Sequence, residues 1–182
     1  MTHESRNTET ENTGNSGNSG NSGKTGNSGN TGSARPAVSV VRPGEGETIV
    51  LGTTRMRVLE DGSNTGHRLG MAESVLAPHT PGPAQHRHAQ HDEGFYVITG
   101  SVRFTVGRDE HDATPGTFVM VPAGAPHTFA NVTGQPAVML STFTPDLYVQ
   151  YFRDLRDALE GGEPMAPEAG IQAMSRFATE PA

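Results

Sequence analysis

From Ala37 onward, apolar and polar residues alternate with period two in short runs, each closed by Gly or Pro. The runs AVSVVR, ETIVLG and TRMRVLE come first, followed by GHRLGMAESVLA, in which Met71, Glu73 and Val75 alternate with Ala72, Ser74 and Leu76. In GFYVITG the same-face set is Glu93, Phe95 and Val97, and SVRFTV alternates again after the turn at Gly100, which predicts a hairpin. Thr117–Val121 is another β-rich run. Pro122 to Pro126 then turns the chain back, so that His127, Phe129 and Asn131 share a face. Pro136–Phe143 supplies the last strand. Eight to ten short strands with this punctuation predict an all-β sandwich or barrel.

The period changes after Phe143. Thr144-Pro145-Asp146 reads as a helix start, with Thr as the cap, Pro in the first turn and Asp at the positive end of the dipole. Leu147, Tyr151, Leu155 and Leu159 then recur every four residues, flanked by Tyr148 and Phe152, to give one apolar face. Gly161-Gly162 stops this helix. Pro167 opens a shorter one carrying Ile171, Met174 and Phe177.

Composition alters this picture mainly at the N-terminus. Residues 1–34 hold almost no large apolar side chain, and Asn12 to Gly32 repeats triplets of the type Asn-Ser-Gly. Glycine has the collagen spacing, but no Pro fills the other positions, so a disordered polar tail is expected. Three segments follow: a tail at 1–34, a β-barrel at 35–144 and a helical segment at 145–182. The net charge is −7 without a basic cluster, which argues against nucleic acid as a partner. No apolar run approaches twenty residues and no secretion signal is visible, so neither a membrane partner nor export is expected, and the cytoplasm is the default. There is no Cys, so metal ligation must come from nitrogen and oxygen.

The candidate chemistry lies between Gly82 and Asn131. His86 and His88, two apart on a strand, can aim both imidazoles at one point while Arg87 points away. Ala89 to Asp92 reads as a bend that resets the parity for Glu93, and if the two histidine-bearing blocks pack together His127 completes the group. Three imidazoles and a carboxylate suit one divalent transition metal: Fe, Mn, Co, Ni, Cu or Zn. His91, in the bend, reads as solvated rather than as a ligand; His111, in a charged turn, and His67 and His79 read as surface residues, and His3 belongs to the tail.

At these positions the chain resembles the cupin superfamily. His86, His88, Glu93 and Gly100 match the first family motif, with four residues between the second His and the Glu. Gly116, Pro122, Gly124, His127 and Asn131 match the second. One departure is Gly82, which stands four residues before His86 where the family has a Gly about six before. The fifteen residues between Gly100 and Gly116 resemble the short loop of small, single-barrel bacterial cupins. The resemblance implies a double-stranded β-helix (jelly-roll) barrel, a metal held by His86, His88, Glu93 and His127, and a homodimer.

The resemblance to small cupins of the quercetin dioxygenase type further implies an O2-dependent enzyme for an enolic or phenolic substrate, with Glu93 as catalytic base. Phe95, Val97 and Phe129 would line an apolar pocket for this small molecule. The same ligands would serve an isomerase, cyclase or lyase that uses the metal as a Lewis acid without O2, or a cupin that binds a small molecule without turnover.

Overall fold

The computed structural model describes residues 38–160 and 172–182. Eleven strands and one long helix are defined among these residues. The strands are β1 (Thr48–Leu51), β2 (Thr54–Asp61), β3 (Gly70–Leu76), β4 (His86–His88), β5 (Asp92–Thr99), β6 (Val102–Val106), β7 (Asp109–Ala113), β8 (Phe118–Val121), β9 (His127–Ala130), β10 (Ala137–Thr144) and β11 (Thr179–Pro181); helix α1 spans Leu147–Glu160. They build two antiparallel sheets, one ordered β1-β2-β3-β10-β5-β8 and the other β11-β4-β9-β6-β7, and together these form a jelly-roll.

The predicted hairpins at Gly100 and at Pro122–Pro126 are not hairpins. Strand β5 pairs with β10 and β8, whereas β6 pairs with β9 and β7, so the chain changes sheets at Gly100. It changes again between β8 and β9. Period-two alternation specifies which face is buried but not which strand lies alongside, so a sheet crossing and a hairpin look alike in sequence. Gly100 suits the crossing: its φ is +75°, and a Cβ there would stand 2.5 Å from the Pro136 carbonyl oxygen.

Other local expectations also change. AVSVVR forms no strand; β1 is the sheet's last strand, and Val38 and Val40 are exposed. The charged turn around His111 contains β7, which pairs with β6 and keeps His111 on the surface. Strand β10 runs through Thr144, so Asp146, rather than Thr144, precedes α1, and its carboxylate meets His67 Nδ1 at 3.0 Å instead of capping the helix. The buried face of α1 is Tyr148, Val149 and Tyr151, with Phe152 and Leu155 at its margin, while Leu159 is exposed. The tail at 1–34 and the helix start at Pro167 lie outside the described residues; Met174 and Phe177 pack beside α1. The segment beyond Pro145 also ends in a strand, β11, that pairs with β4.

The inward residues fill the barrel in three levels. On β10 these are Ala137 and Met139, then Ser141, then Phe143; on β3 they are Leu76, then Ser74, then Ala72. Met139 and Leu76 join Phe95, Val97, Val102 and Phe104 in an apolar floor, where each fully buried large side chain contributes about 1.5–3 kcal/mol. Phe143 and Ala72 join Ile49, Met56 and the buried face of α1 at the opposite end. The two serines lie between these clusters. The helix therefore stoppers the barrel, and the middle level is left for a cavity.

Replacing Gly100 by Ala should lower unfolding free energy by about 2–4 kcal/mol, through left-handed strain and a clash with rigid backbone. Urea denaturation measures this, and a loss below about 0.5 kcal/mol would contradict the packing described at the crossing.

Candidate metal centre

Strands β4 and β9 are neighbours, with His86 directly opposite His127. His88 projects from the same face as His86, whereas Arg87 points outward to Glu180 at 3.1 Å. Glu93 reaches the imidazoles from β5 in the other sheet. The ligand atoms of His86, His88, Glu93 and His127 all lie within 4.8 Å of one another, and each residue is at most 3 % exposed. Glu93 Oε2 stands 2.9 Å from His127 Nε2 and 3.3 Å from His88 Nε2.

Hydrogen bonds behind the rings fix their orientation. His86 Nδ1 donates to the Ala84 carbonyl at 2.9 Å, and His127 Nδ1 to the Ala125 carbonyl at 3.1 Å. His88 Nδ1 donates at 2.8 Å to Thr179 Oγ1, whose own hydroxyl is directed to the Phe177 carbonyl. With every Nδ1–H committed, the three Nε2 atoms present lone pairs to one another and to a carboxylate. Only a proton or a cation can reconcile them, and His88 Nε2 has no hydrogen-bond partner among the described residues. The donor set thus fits a divalent metal, with the outer hydrogen bonds that usually orient ligating histidines.

The electrostatics agree with this orientation. Burial pushes His86 down to about 4, against the hydrogen bond to Ala84 that favours its charged form. Burial also lowers His88, despite Glu93 beside it. For Glu93 burial alone would raise the carboxyl, but hydrogen bonding to His127, His88 and His91, with the shared proton on an imidazole, outweighs it and holds the group well below the carboxylate range. Neutral imidazoles and an ionised carboxylate are the ligating forms.

The glycines and Asn131 of the second block serve this geometry. Gly124, at φ +85°, donates its N–H to the His88 carbonyl at 2.7 Å, which ties the turn before β9 to β4. Asn131 is buried and donates to the Leu76, Ala77 and Gln135 carbonyls, so its role is to brace a loop. Gly82 passes so close to β9 that a Cβ would land on the Phe129 carbonyl oxygen. The tighter entry before His86 therefore has a steric reason.

A cavity of about 230 Å³ opens on His86 and Glu93. Phe95 and Phe129 line it, together with Phe143, Tyr148, Tyr151 and Phe152. Val97 does not: one inward position further along β5, it is fully buried in the apolar floor. Among the described residues no Lys or Arg lines the cavity; Ser74, Ser141 and Thr54 supply hydroxyls.

The largest correction concerns His91. It is not solvated but 1 % exposed, with its ring 4.0 Å from that of His88 and its Nε2 3.6 Å from Glu93 Oε1. A signal was available, because His91 and Glu93 are two residues apart and so share a face wherever the strand begins. Tyr148 and Thr179 were also missed as neighbours of the site; only the packing of α1 and the β11–β4 pairing bring them there. His67, His79 and His111 are on the surface as expected, although His67 is held by Asp146.

A jelly-roll that gathers buried His86, His88, Glu93 and His127 in its interior has the architecture and the donor set of a cupin-type β-barrel. Residues 72–143 match the Cupin domain family, and the chain resembles the single-barrel, quercetinase-like cupins. It is 28 % identical over 122 residues to quercetin 2,3-dioxygenase of Bacillus subtilis, which covers 67 % of this chain and 36 % of that protein. It is 36 % identical over 62 residues to an uncharacterized protein of Streptomyces coelicolor, covering 34 % of this chain and 57 % of the other. The chain thus spans only part of both curated relatives. A sugar phosphate isomerase of Silicibacter pomeroyi aligns with TM-score 0.52 and 23 % identity, over 58 % of this chain and 75 % of that one. The polyketide cyclase RemF of Streptomyces resistomycificus aligns with TM-score 0.53 and 22 % identity, over 59 % and 80 %. These two likenesses show the fold. Among the described residues no helix is long and apolar enough to cross a membrane.

The His86 shift sets the acid response of the metal-free protein. Its pKa falls from 6.5 in the unfolded chain to about 4 in the fold, so between these values the unfolded chain binds more protons. Stability should fall as pH drops from about 6.5 to 4, by on the order of 3 kcal/mol for this group, and this contribution should change little below that window. Urea titrations of chelator-treated protein test this, and a flat profile across the window would contradict a buried neutral His86.

Proposed function

We propose that this protein is a metal-dependent dioxygenase acting on a small enolic or phenolic substrate, with His86, His88, Glu93 and His127 as the metal ligands. The observation that carries the reading is an ionised, buried carboxylate at the boundary between an imidazole cluster and an apolar, aromatic-walled cavity. The 28 % identity to a quercetin dioxygenase supports the reaction class.

A bound divalent ion would supply Lewis acidity and, if redox-active, a path for electrons between substrate and O2. The chain's own residues would do the rest. Phe95 and Phe129 would grip the faces of a flat ring, while the absence of a cationic side chain from the described lining favours an uncharged substrate over a phosphate or carboxylate. Glu93, ionised and adjacent to the cavity, would accept the substrate hydroxyl proton and so raise the electron density of the ring. Tyr148, Tyr151 and Phe152 would exclude bulk water from the reacting end.

At about 230 Å³ the cavity is smaller than the roughly 300–1,000 Å³ typical of drug-sized ligands. This favours a compact one- or two-ring enol or phenol; a three-ring flavonol would require α1 to shift. The reading takes the working species as a homodimer on the family resemblance alone, with the cytoplasm as its default location.

Oxygen-electrode assays of enolic and phenolic compounds with the metal-loaded protein should detect O2 uptake. Glu93→Gln should reduce kcat by about 10²–10⁴. Elemental analysis of the same variant should still find metal, because three imidazoles remain. Full activity in Glu93→Gln would remove the base role. Turnover that persists without oxygen would instead mark a Lewis-acid isomerase, cyclase or lyase, and binding without turnover would mark a non-catalytic cupin.

A further inference from the structure

His91 is the buried polar group for which neither the fold nor the proposed ligand set accounts. It lies in the bend between β4 and β5, with a side chain that is fully buried. Neither ring nitrogen has a hydrogen-bond partner among the described residues. A buried polar group without a partner destabilises the fold, so an imidazole here is unfavourable where a Leu or Phe would fill the space. It does not belong to the group of atoms that converge within ligand distance.

Its surroundings point to Glu93. The two carboxylate oxygens have different neighbours: Oε2 faces His127 Nε2 at 2.9 Å and His88 Nε2 at 3.3 Å, while Oε1 is 3.6 Å from His91 Nε2. Packing against the rings of His88 and Tyr148, with centroids 4.0 and 5.1 Å away, holds the His91 ring beside this second oxygen. The 3.6 Å separation exceeds a hydrogen bond by about half an ångström, a gap that a small rotation of the carboxylate closes.

We infer that His91 is a positioning residue: in the metal-loaded protein its Nε2–H donates to Glu93 Oε1, which leaves Oε2 as the single oxygen turned toward His86, His88 and His127. Outer hydrogen bonds of this kind fix the orientation of a ligating carboxylate. The other three side chains have such a partner at Nδ1, namely Ala84, Thr179 and Ala125. Among the described residues Glu93 otherwise has none, and His91 takes that place. The inference rests on the reading of these four residues as ligands, but not on any reaction with O2.

The test uses Zn(II) and Co(II), so that it is independent of turnover. His91→Phe keeps a ring of similar size and removes the donor; His91→Gln keeps a donor. In chelator competition Zn(II) affinity should fall about 10- to 100-fold in His91→Phe and stay within about threefold of the parent in His91→Gln. The visible spectrum of the Co(II) form should change in His91→Phe only. Parent-like affinity and spectrum in a folded His91→Phe would overturn the inference. Should that variant not fold, the unaltered Zn(II) protein still decides: long-range ¹H–¹⁵N spectra must show His91 as the Nε2–H tautomer, and an Nδ1–H tautomer overturns the inference. Absence of Zn(II) binding by the unaltered protein would overturn the ligand reading itself, whereas binding with the wrong His91 tautomer would overturn only this inference.

Discussion

Three imidazole lone pairs and a carboxylate forced into one dry space constitute the constraint on which this structure turns. Such a group repels itself unless a cation or protons sit among its members, and burial makes protons costly on His86 and His88. The surrounding sheets supply the rigidity that holds the group together. Two of its members come from β4, one from the neighbouring β9 and one from β5 across the barrel, so no single element can relax without breaking ladder hydrogen bonds. A site on packed strands is held more precisely than one on loops.

The barrel interior grades from apolar floor to polar middle to helical stopper, and this gradation turns a metal-site fold into a candidate binding site. Ser74 and Ser141 occupy inward positions that would otherwise extend the core, and the cavity forms beside them. Helix α1 contributes the aromatic side of that cavity. Its ion-pair belt, in which Arg153 reaches Glu47 at 2.7 Å and Asp61 at 2.9 Å, secures the helix to the strands it covers.

Much of this was legible in the residues themselves because it depends on short-range periodicity. The strand faces of Glu93, Phe95 and Val97, the shared face of His86 and His88, and the helix after Asp146 all follow from side-chain alternation within one element. What was not legible depends on which elements meet. The sheet crossings at Gly100 and before His127 are invisible to a parity argument, as is the pairing of β11 with β4 that brings Thr179 to His88. His91 was misread for a different reason. A polar run looks like a solvated bend in sequence, although the parity of His91 with Glu93 places it on the buried side. Val97 was assigned to the pocket from its face alone, when depth along the strand decides which inward residues meet a ligand and which meet other side chains.

The hydrogen bond between His88 and Thr179 joins positions 91 apart in sequence. During synthesis at about 5–20 residues per second, His88 leaves the ribosome roughly 5–20 s before the hydroxyl that orients its ring exists. Through that interval the nascent chain carries an imidazole free to adopt either tautomer and a β4 edge still uncovered. Assembly of the histidine–glutamate group in its final orientation is accordingly a late event, and a ribosome that stalls before Thr179 would leave His88 without the partner that sets its tautomer.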